Sequence, residues 1–260
     1  MSLAPWRIAM ASCRGTSHRA AGEPCQDAHL CLRVEGPSGT VTILAASDGA
    51  GTAAGAEIGA ALACETFARL AGDYVEGGGE VRHIKRPLVQ RWIAGVAYRL
   101  SLRAKTQDRK RHDLACTLLA AIVGREATAF IQVGDGAIVT WAPDDLGWRY
   151  IFWPQHGEFA NTTNFVTADS AGQTFEFALT TDPVEEIAIF TDGLENLVLQ
   201  KAQRAVHAPF FDSMFPPVRR SAAPGVDAAL SAGLEKYLAT QPVTDRTDDD
   251  KTLILASRRR

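Results

Sequence analysis

The chain has 260 residues, 46% of them hydrophobic and 22% charged, with a formal net charge of -3. That length and apolar content suit a single globular domain, 1–260, and the slight acidity argues against a surface built to neutralise many nucleic-acid phosphates. Five cysteines, scattered and odd in number, show no Cys-x-x-Cys pair and no zinc spacing, which fits a reducing compartment.

The first residues, MSLAPWRIAM, carry no basic leader ahead of a long apolar stretch, and no run approaches the ~18 apolar residues of a membrane span. A cytoplasmic protein with no membrane and no nucleic-acid partner is expected. Strands are predicted, in chain order, over 6–12, 28–34, 40–47, 116–123, 128–133, 137–142, 148–153, 174–179, 186–191 and 252–257. Several are apolar at consecutive positions, which implies cover on both faces. Helical periodicity appears over 53–71, 84–105, roughly 194–215 and 226–239. GGG at 77–79 and PPVRRSAAPG at 216–225 read as loops. Because the central strands follow one another without intervening helices, antiparallel sheets and an α+β class are predicted.

Ten Lys or Arg residues lie between 82 and 111. An anion-binding patch is one reading; the solvated face of an amphipathic helix is the preferred one.

Aspartates recur where apolar strands meet polar loops. Asp48, Asp135 and Asp192 each follow such a strand and are each followed by Gly, while Asp27 and Asp249 stand just ahead of strands. One Asp-Gly alone is ordinary turn chemistry. Five are different, because neighbouring strands lie only ~5 Å apart and bring their ends together. Gathered carboxylates repel unless protonated or bridged by cations, and they are the hard oxygen ligands that Mg²⁺ or Mn²⁺ prefers. Gly49 lets the main chain approach closely enough for its own carbonyl to serve as a ligand. Two such ions activate a water for in-line displacement at phosphorus, with no Ser or Cys nucleophile required. A calcium loop starting at Asp245 fails, because Asp250 and Ala256 stand where Gly and Glu are needed.

At these residues the sequence resembles the metal-dependent serine/threonine protein phosphatases of type 2C. EPCQDAH (23–29), SDGAGTAAGA (47–56), ACTLLAAIV (115–123), GDGAIV (134–139), TDGLEN (191–196) and DDDKTLIL (248–255) are similar to that family's motifs, in the same order. The resemblance implies two packed antiparallel sheets flanked by helices on both sides, with two Mg²⁺ or Mn²⁺ ions at one edge and a weaker third. It implies that Asp48 bridges both metals, Gly49 gives a carbonyl, and Asp192 and Asp249 complete one metal. Asp27 is then an outer ligand, and Asp135 joins Asp192 at the third ion. Asp48 and Asp192 hold the bridging water that attacks phosphorus, and the implied partners are a phosphorylated Ser/Thr protein and a cognate kinase. Asp248 and Asp250 are alternatives to Asp249, which is favoured because Thr252 keeps the Asp-x-x-Thr spacing.

Departures from the pattern are as specific. Gly22 stands where the family commonly has a phosphate-binding Arg, with His18 or Arg19 as the replacement; Ala50 stands where eukaryotic members have a histidine; Gln26 replaces a Glu. The compact length and Ala50 point to a bacterial-type member. Residues 154–172 correspond to a variable flap, in which His156, Asn161, Thr162 and Thr163 are candidate substrate contacts. The missing Arg and Gln26 motivate one alternative, an inactive phosphatase fold that binds partners, which the retained Asp48, Asp192 and Asp249 oppose.

Overall fold

A computed structural model describes residues 5–141, 147–155 and 163–259. In chain order the strands are β1 (Arg7–Cys13), β2 (Ala28–Gly36), β3 (Gly39–Ser47), β4 (Leu118–Val123), β5 (Thr128–Val133), β6 (Ala137–Trp141), β7 (Arg149–Tyr150), β8 (Glu176–Thr180), β9 (Glu186–Phe190), β10 (Leu199–Gln200), β11 (Ala205–Val206), β12 (Gly225–Val226) and β13 (Lys251–Ser257). The helices are α1 (Thr16–Ala21), α2 (Ala56–Glu76), α3 (Arg86–Thr106), α4 (Ala171–Thr174), α5 (Glu195–Val198), α6 (Ala208–Arg220), α7 (Ala228–Leu238) and α8 (Gln241–Thr244).

One sheet has the order β12-β1-β13-β9-β6-β7, the second β2-β3-β4-β5-β8, and β10 pairs with β11 apart from both. The only parallel ladder among the described residues joins β1 to β12. The sheets face each other through Ile8, Leu44, Leu119, Phe130, Ile189 and Ile254. The outer face of the second sheet packs on α2 and α3, and that of the first on α6 and α7, giving four layers.

β4 shows why its sequence is apolar throughout. Leu118, Ala120 and Ile122 join the core under the helices, while Leu119, Ala121 and Val123 join the core between the sheets. The period of two survives, but both faces are dry. α3 has one apolar stripe, with Val89, Trp92, Ile93, Val96, Leu100 and Ala104 buried at helical spacing. Pro87 sits in its first turn, where a missing N–H costs nothing. Asp227 caps α7, accepting from the N–H groups of Ala229 and Leu230 at 3.0 Å each.

The ten predicted strands are all present, although the one expected over 148–153 contracts to β7. Two expectations are overturned. The helix predicted over 194–215 is broken into α5, the β10–β11 hairpin and α6, with Arg204 turning at φ 48. The loop predicted from 216 is instead helical to Arg220, with Pro216 and Pro217 inside α6. An interior proline costs a helix about 3 kcal/mol. Here aromatic burial offsets it: Phe211 and Phe215 are wholly buried, and their rings lie 5.1 and 4.8 Å from that of Trp148.

Candidate metal centre

Antiparallel register brings the strand-end aspartates together. Cys13 pairs with Lys251, Leu253 with Phe190 and Phe190 with Ala137, so β1, β13, β9 and β6 share one end of the first sheet. In the second sheet Ala28 pairs with Ser47 and Leu118 with Val133. Asp27, Asp48, Asp135, Asp192 and Asp249 are the flanking residues at these ends. Carboxylate oxygens of Asp48, Asp135 and Asp192 lie within 4.8 Å of one another.

Each carboxylate is held by its own local device. The Asp48 N–H donates to Thr117 Oγ1 at 2.9 Å, and its carbonyl accepts the Thr117 N–H at 2.8 Å. Gly49 forms an isolated bridge with Cys116 whose two bonds use the Asp48 carbonyl and the Ala50 N–H, so the Gly49 carbonyl is not spent on that ladder. A Cβ on Gly49 would stand 2.7 Å from the Ala56 backbone. Asp135 sits between Gly134 and Gly136, at φ +102 and +83, in the β5–β6 turn, and accepts from the Thr163 hydroxyl. Asp192 opens a short turn whose next residue must be glycine, since a Cβ on Gly193 would meet the Asp250 carbonyl at 1.9 Å.

Asp27 is tied from three segments, at the ends of β3 and β9 and the start of β13. Its Oδ2 accepts the hydroxyls of Thr191 and Thr252, each at 2.7 Å, its carboxyl contacts that of Asp48, and its buried Oδ1 has no hydrogen-bond partner. The two neighbouring aspartates ahead of β13 differ. Asp250 is 2% exposed and accepts the N–H groups of Gly15 and Gln26. Asp249 instead exerts its charge on Asp48 and Asp192, while its carbonyl accepts Lys251 Nζ at 2.8 Å.

The cluster carries more negative charge than its surroundings compensate. Burial, then the charges of Asp27 and Asp192, push Asp48 well above the usual carboxylate range. Burial, then Asp135, raises Asp192 to about 8. Burial raises Asp27 to about 6 against the opposing hydrogen bonds from Asp48, Thr252 and Thr191, and burial also raises Asp249. Among the described residues, the His18 imidazole lies against Asp250 and Lys201 pairs with Glu195, but no Lys or Arg pairs with Asp48, Asp192 or Asp249. All-oxygen donors, a buried carboxylate oxygen without a partner and unneutralised charge fit hard divalent cations.

Of the predicted ligands, Asp48, Asp135 and Asp192 form the tight group of three, while Asp27, Gly49 and Asp249 flank it. His18 lies in α1 with Nδ1 2.8 Å from Asp250 Oδ2, and Arg19 reaches the Cys13 sulfur at 3.8 Å. Gly22 caps α1 at φ 74, a conformation that an arginine would adopt only with strain. His156, Asn161 and Thr162 lie outside the described residues. Sequence reading did not find the clamp of Thr117 on Asp48, the paired hydroxyls on Asp27, or the anchoring role of Asp250. A threonine directly before Asp192 and the Asp-x-x-Thr spacing were the available signals for the second of these.

Ten basic residues were expected mostly on a solvated helix face, and several hold the scaffold. Arg86 donates to the Phe175 carbonyl at 2.6 Å, Arg109 donates to the Ala54 carbonyl, and Arg111 pairs with Asp169 at 3.0 Å. No helix among the described residues is long and apolar enough to cross a membrane.

The family model for protein phosphatase 2C matches residues 14–239 of this chain, a span that includes Asp27, Asp48, Asp135 and Asp192 and ends before Asp249. The chain is 33% identical over 257 residues to serine/threonine-protein phosphatase 3 of Escherichia coli (strain K12), covering 96% of this chain and 98% of that protein. In fold it is similar to the Mycobacterium tuberculosis serine/threonine phosphatase PstP/Ppp, with a TM-score of 0.65, 15% identity and coverage of 98% and 100%. Serine/threonine phosphatase Stp1 from Staphylococcus aureus gives 0.62 at 14% identity, covering 99% of this chain and 97% of that one. A catalytic domain of PstP in complex with 2 manganese ions gives 0.61 at 14%, covering 97% and 98%.

Proposed function

The chain belongs to the protein phosphatase 2C family, and from that premise we propose that it hydrolyses phosphoserine and phosphothreonine esters of proteins. The observation that carries the reading is the convergence of Asp48, Asp135 and Asp192 within 4.8 Å at the shared strand ends. Asp48, Asp192, Asp135 and Asp249, with the Gly49 carbonyl, are the residues that would hold Mg²⁺ or Mn²⁺, with Asp27 behind them. Bound there, two such ions lower the pKa of water and polarise the phosphoryl oxygens. The relative bearing 2 manganese ions supports this assignment.

The rest of the site is work done by the chain itself. Thr117 fixes the Asp48 backbone on both sides, so the carboxylate is presented without a search over conformations. Thr191 and Thr252 occupy one oxygen of Asp27 and leave the other facing inward without a partner. The Asp250 carboxylate ties the Gly15 and Gln26 segments to the start of β13, which keeps Asp27 and Asp249 in register. Ala50 has no proton to give, so the leaving alkoxide takes its proton from water or from another donor.

We take residues 1–260 as one phosphatase domain, working in the cytoplasm of a bacterial-type signalling system opposite a cognate kinase. His18 and Arg19, beside the Asp27 segment, and the flap positions Asn161 and Thr162 outside the described residues remain the proposed substrate contacts. An inactive partner-binding module has no support, since Asp48, Asp192 and Asp249 are retained even though Gln26 replaces a Glu. The deciding experiment is hydrolysis of p-nitrophenyl phosphate and of a phosphothreonine peptide with Mn²⁺. Turnover abolished by Asp48→Asn is expected; a folded, metal-loaded wild type inert towards both substrates would refute the reading.

A further inference from the structure

The end of the sandwich away from the carboxylates carries a cleft of about 350 Å³, lined by Trp6, Arg33, Thr40, Arg125 and Arg258 among others. Arg33 lies six residues beyond Asp27 along β2, and Arg258 nine beyond Asp249 along β13. At ~3.3 Å per residue, the two ends are separated by about 20–30 Å.

Three arginines line it from different elements. Arg33 reaches from the second sheet towards the first, its Nη1 standing 3.2 Å from where a Cβ on Gly225 would be. The Gly225 N–H donates to the Trp6 carbonyl at 2.7 Å, which places Arg33 beside Trp6. The Arg258 guanidinium lies 5.2 Å from the Trp6 ring centroid, and Arg125 projects from the β4–β5 turn.

Among the described residues, no carboxylate lines the cleft and none of the three arginines forms an ion pair. Acids on the flanking elements have partners other than these arginines. Glu126, next to Arg125, pairs with Arg82 at 3.1 Å, and Glu35 accepts the Thr40 hydroxyl at 2.8 Å. Glu185 acts on Arg258 through space, without ion-pair contact. Arginines from three elements, unpaired and set around a concave surface beside an indole, match phosphate chemistry.

We propose that this cleft binds a pyrophosphate-type anion, free or as the diphosphate of a nucleotide, at a site separate from the metal centre. Two or more of the arginines would chelate the phosphates, and the Trp6 indole would lie beside an attached base.

Calorimetric titration of the Mg²⁺-loaded full chain with pyrophosphate and with ADP, at low salt, tests this. Expected is a binding step that Asp48→Asn retains and that Arg33→Gln/Arg125→Gln weakens roughly tenfold or more. Arg125→Glu alone, in an exposed turn without partners, should also weaken it while p-nitrophenyl phosphate turnover stays within about twofold. Tighter binding of ADP than of pyrophosphate, with the difference removed by Trp6→Phe, assigns the nucleotide; equal affinities assign the free diphosphate. Binding unchanged in the arginine variants, binding lost in Asp48→Asn, or no binding at millimolar pyrophosphate would overturn the proposal. Because turnover is read separately, its failure leaves the phosphatase reading untouched.

Discussion

The Asp250 carboxylate is a knot: its Oδ2 lies 2.8 Å from His18 Nδ1, and its oxygens accept the N–H groups of Gly15 at 2.6 Å and Gln26 at 2.5 Å. Asp249, one residue earlier, turns its charge on Asp48 and Asp192. Successive side chains along an extended segment point to opposite sides, so two adjacent aspartates serve two purposes. Asp250→Ala is expected to cost about 2–4 kcal/mol, because it orphans two buried N–H groups. Asp249→Asn should fold normally and bind Mn²⁺ more weakly. Urea denaturation and metal titration of both variants check the assignment, and an interchange of the two phenotypes would reverse it.

Gly49 sets how closely the Asp48 loop approaches the start of α2. A methyl group there would stand 2.7 Å from the Ala56 carbonyl carbon, oxygen and Cβ, and backbone cannot step aside as a flexible side chain can. Gly49→Ala is expected to destabilise the fold by about 1–3 kcal/mol and to displace both Asp48 and the Gly49 carbonyl. Its metal affinity and its turnover should fall together, with kcat more affected than the stability loss alone explains. Normal Mn²⁺ affinity in this variant would mean that the carbonyl is not a ligand.

Local pattern reveals what is buried more readily than what is bonded. The two-sided burial of β4 is legible in LLAAIV, and the Asp-Gly steps at 48, 135 and 192 are legible because an apolar run stops at each. Asp250 is different. Its partners Gly15 and Gln26 are 235 and 224 residues away in the chain, so no local periodicity records them. The Asp-x-x-Thr spacing to Thr252 made its neighbour Asp249 the expected ligand without showing what Asp250 itself does. α6 fails for another reason: composition marks PPVRR as a loop, but the burial of Phe211 and Phe215 against Trp148 outweighs two interior prolines. Pairs as short as β10–β11 offer two residues each, too few for a period to emerge.

Raised carboxylates make the metal-free protein sensitive to alkali. Asp27 titrates at about 6 and Asp192 at about 8 in the fold, against about 4 for an unfolded chain. The folded state therefore binds more protons, and stability present near pH 4 is lost as the pH rises through 6 and then 8. His29, lowered by burial, is mostly neutral in both states above its ordinary value of 6.5 and does not oppose this trend. In EDTA, Tm should fall between pH 6.5 and 8.5; a loss of ~2 kcal/mol corresponds to about 4–8 °C for a chain of this size. Mn²⁺ needs the deprotonated carboxylates, so the rise in Tm that it causes should grow over the same interval. Calorimetric melts with and without Mn²⁺ measure both slopes, and a flat metal-free Tm would mean that the cluster is not strained by its own charge.

Glu186 is wholly buried at the end of β9 remote from Asp192, and a bidentate Arg219 neutralises it, with Nε 2.7 Å from Oε1 and Nη2 2.6 Å from Oε2. Ser257 donates to Oε1 at 2.9 Å, while Arg259 stays 3.7 Å from Oε2, too far for a hydrogen bond. Arg219→Ala would leave a carboxylate in the interior with one hydroxyl and a distant cation. Removing one member of a buried pair typically costs about 3–5 kcal/mol, and that loss is expected here. Arg219→Lys should recover only part of it, because an ammonium cannot match both carboxylate oxygens with a planar fork. Glu186→Gln combined with Arg219→Met should cost less than the sum of the single changes, since neither partner is then left charged alone. Urea midpoints at unchanged m-value provide the measurement. Mn²⁺ affinity should stay at the wild-type level in all three variants, because six residues of β9 and its flanks, ~20 Å, separate position 186 from the acidic end.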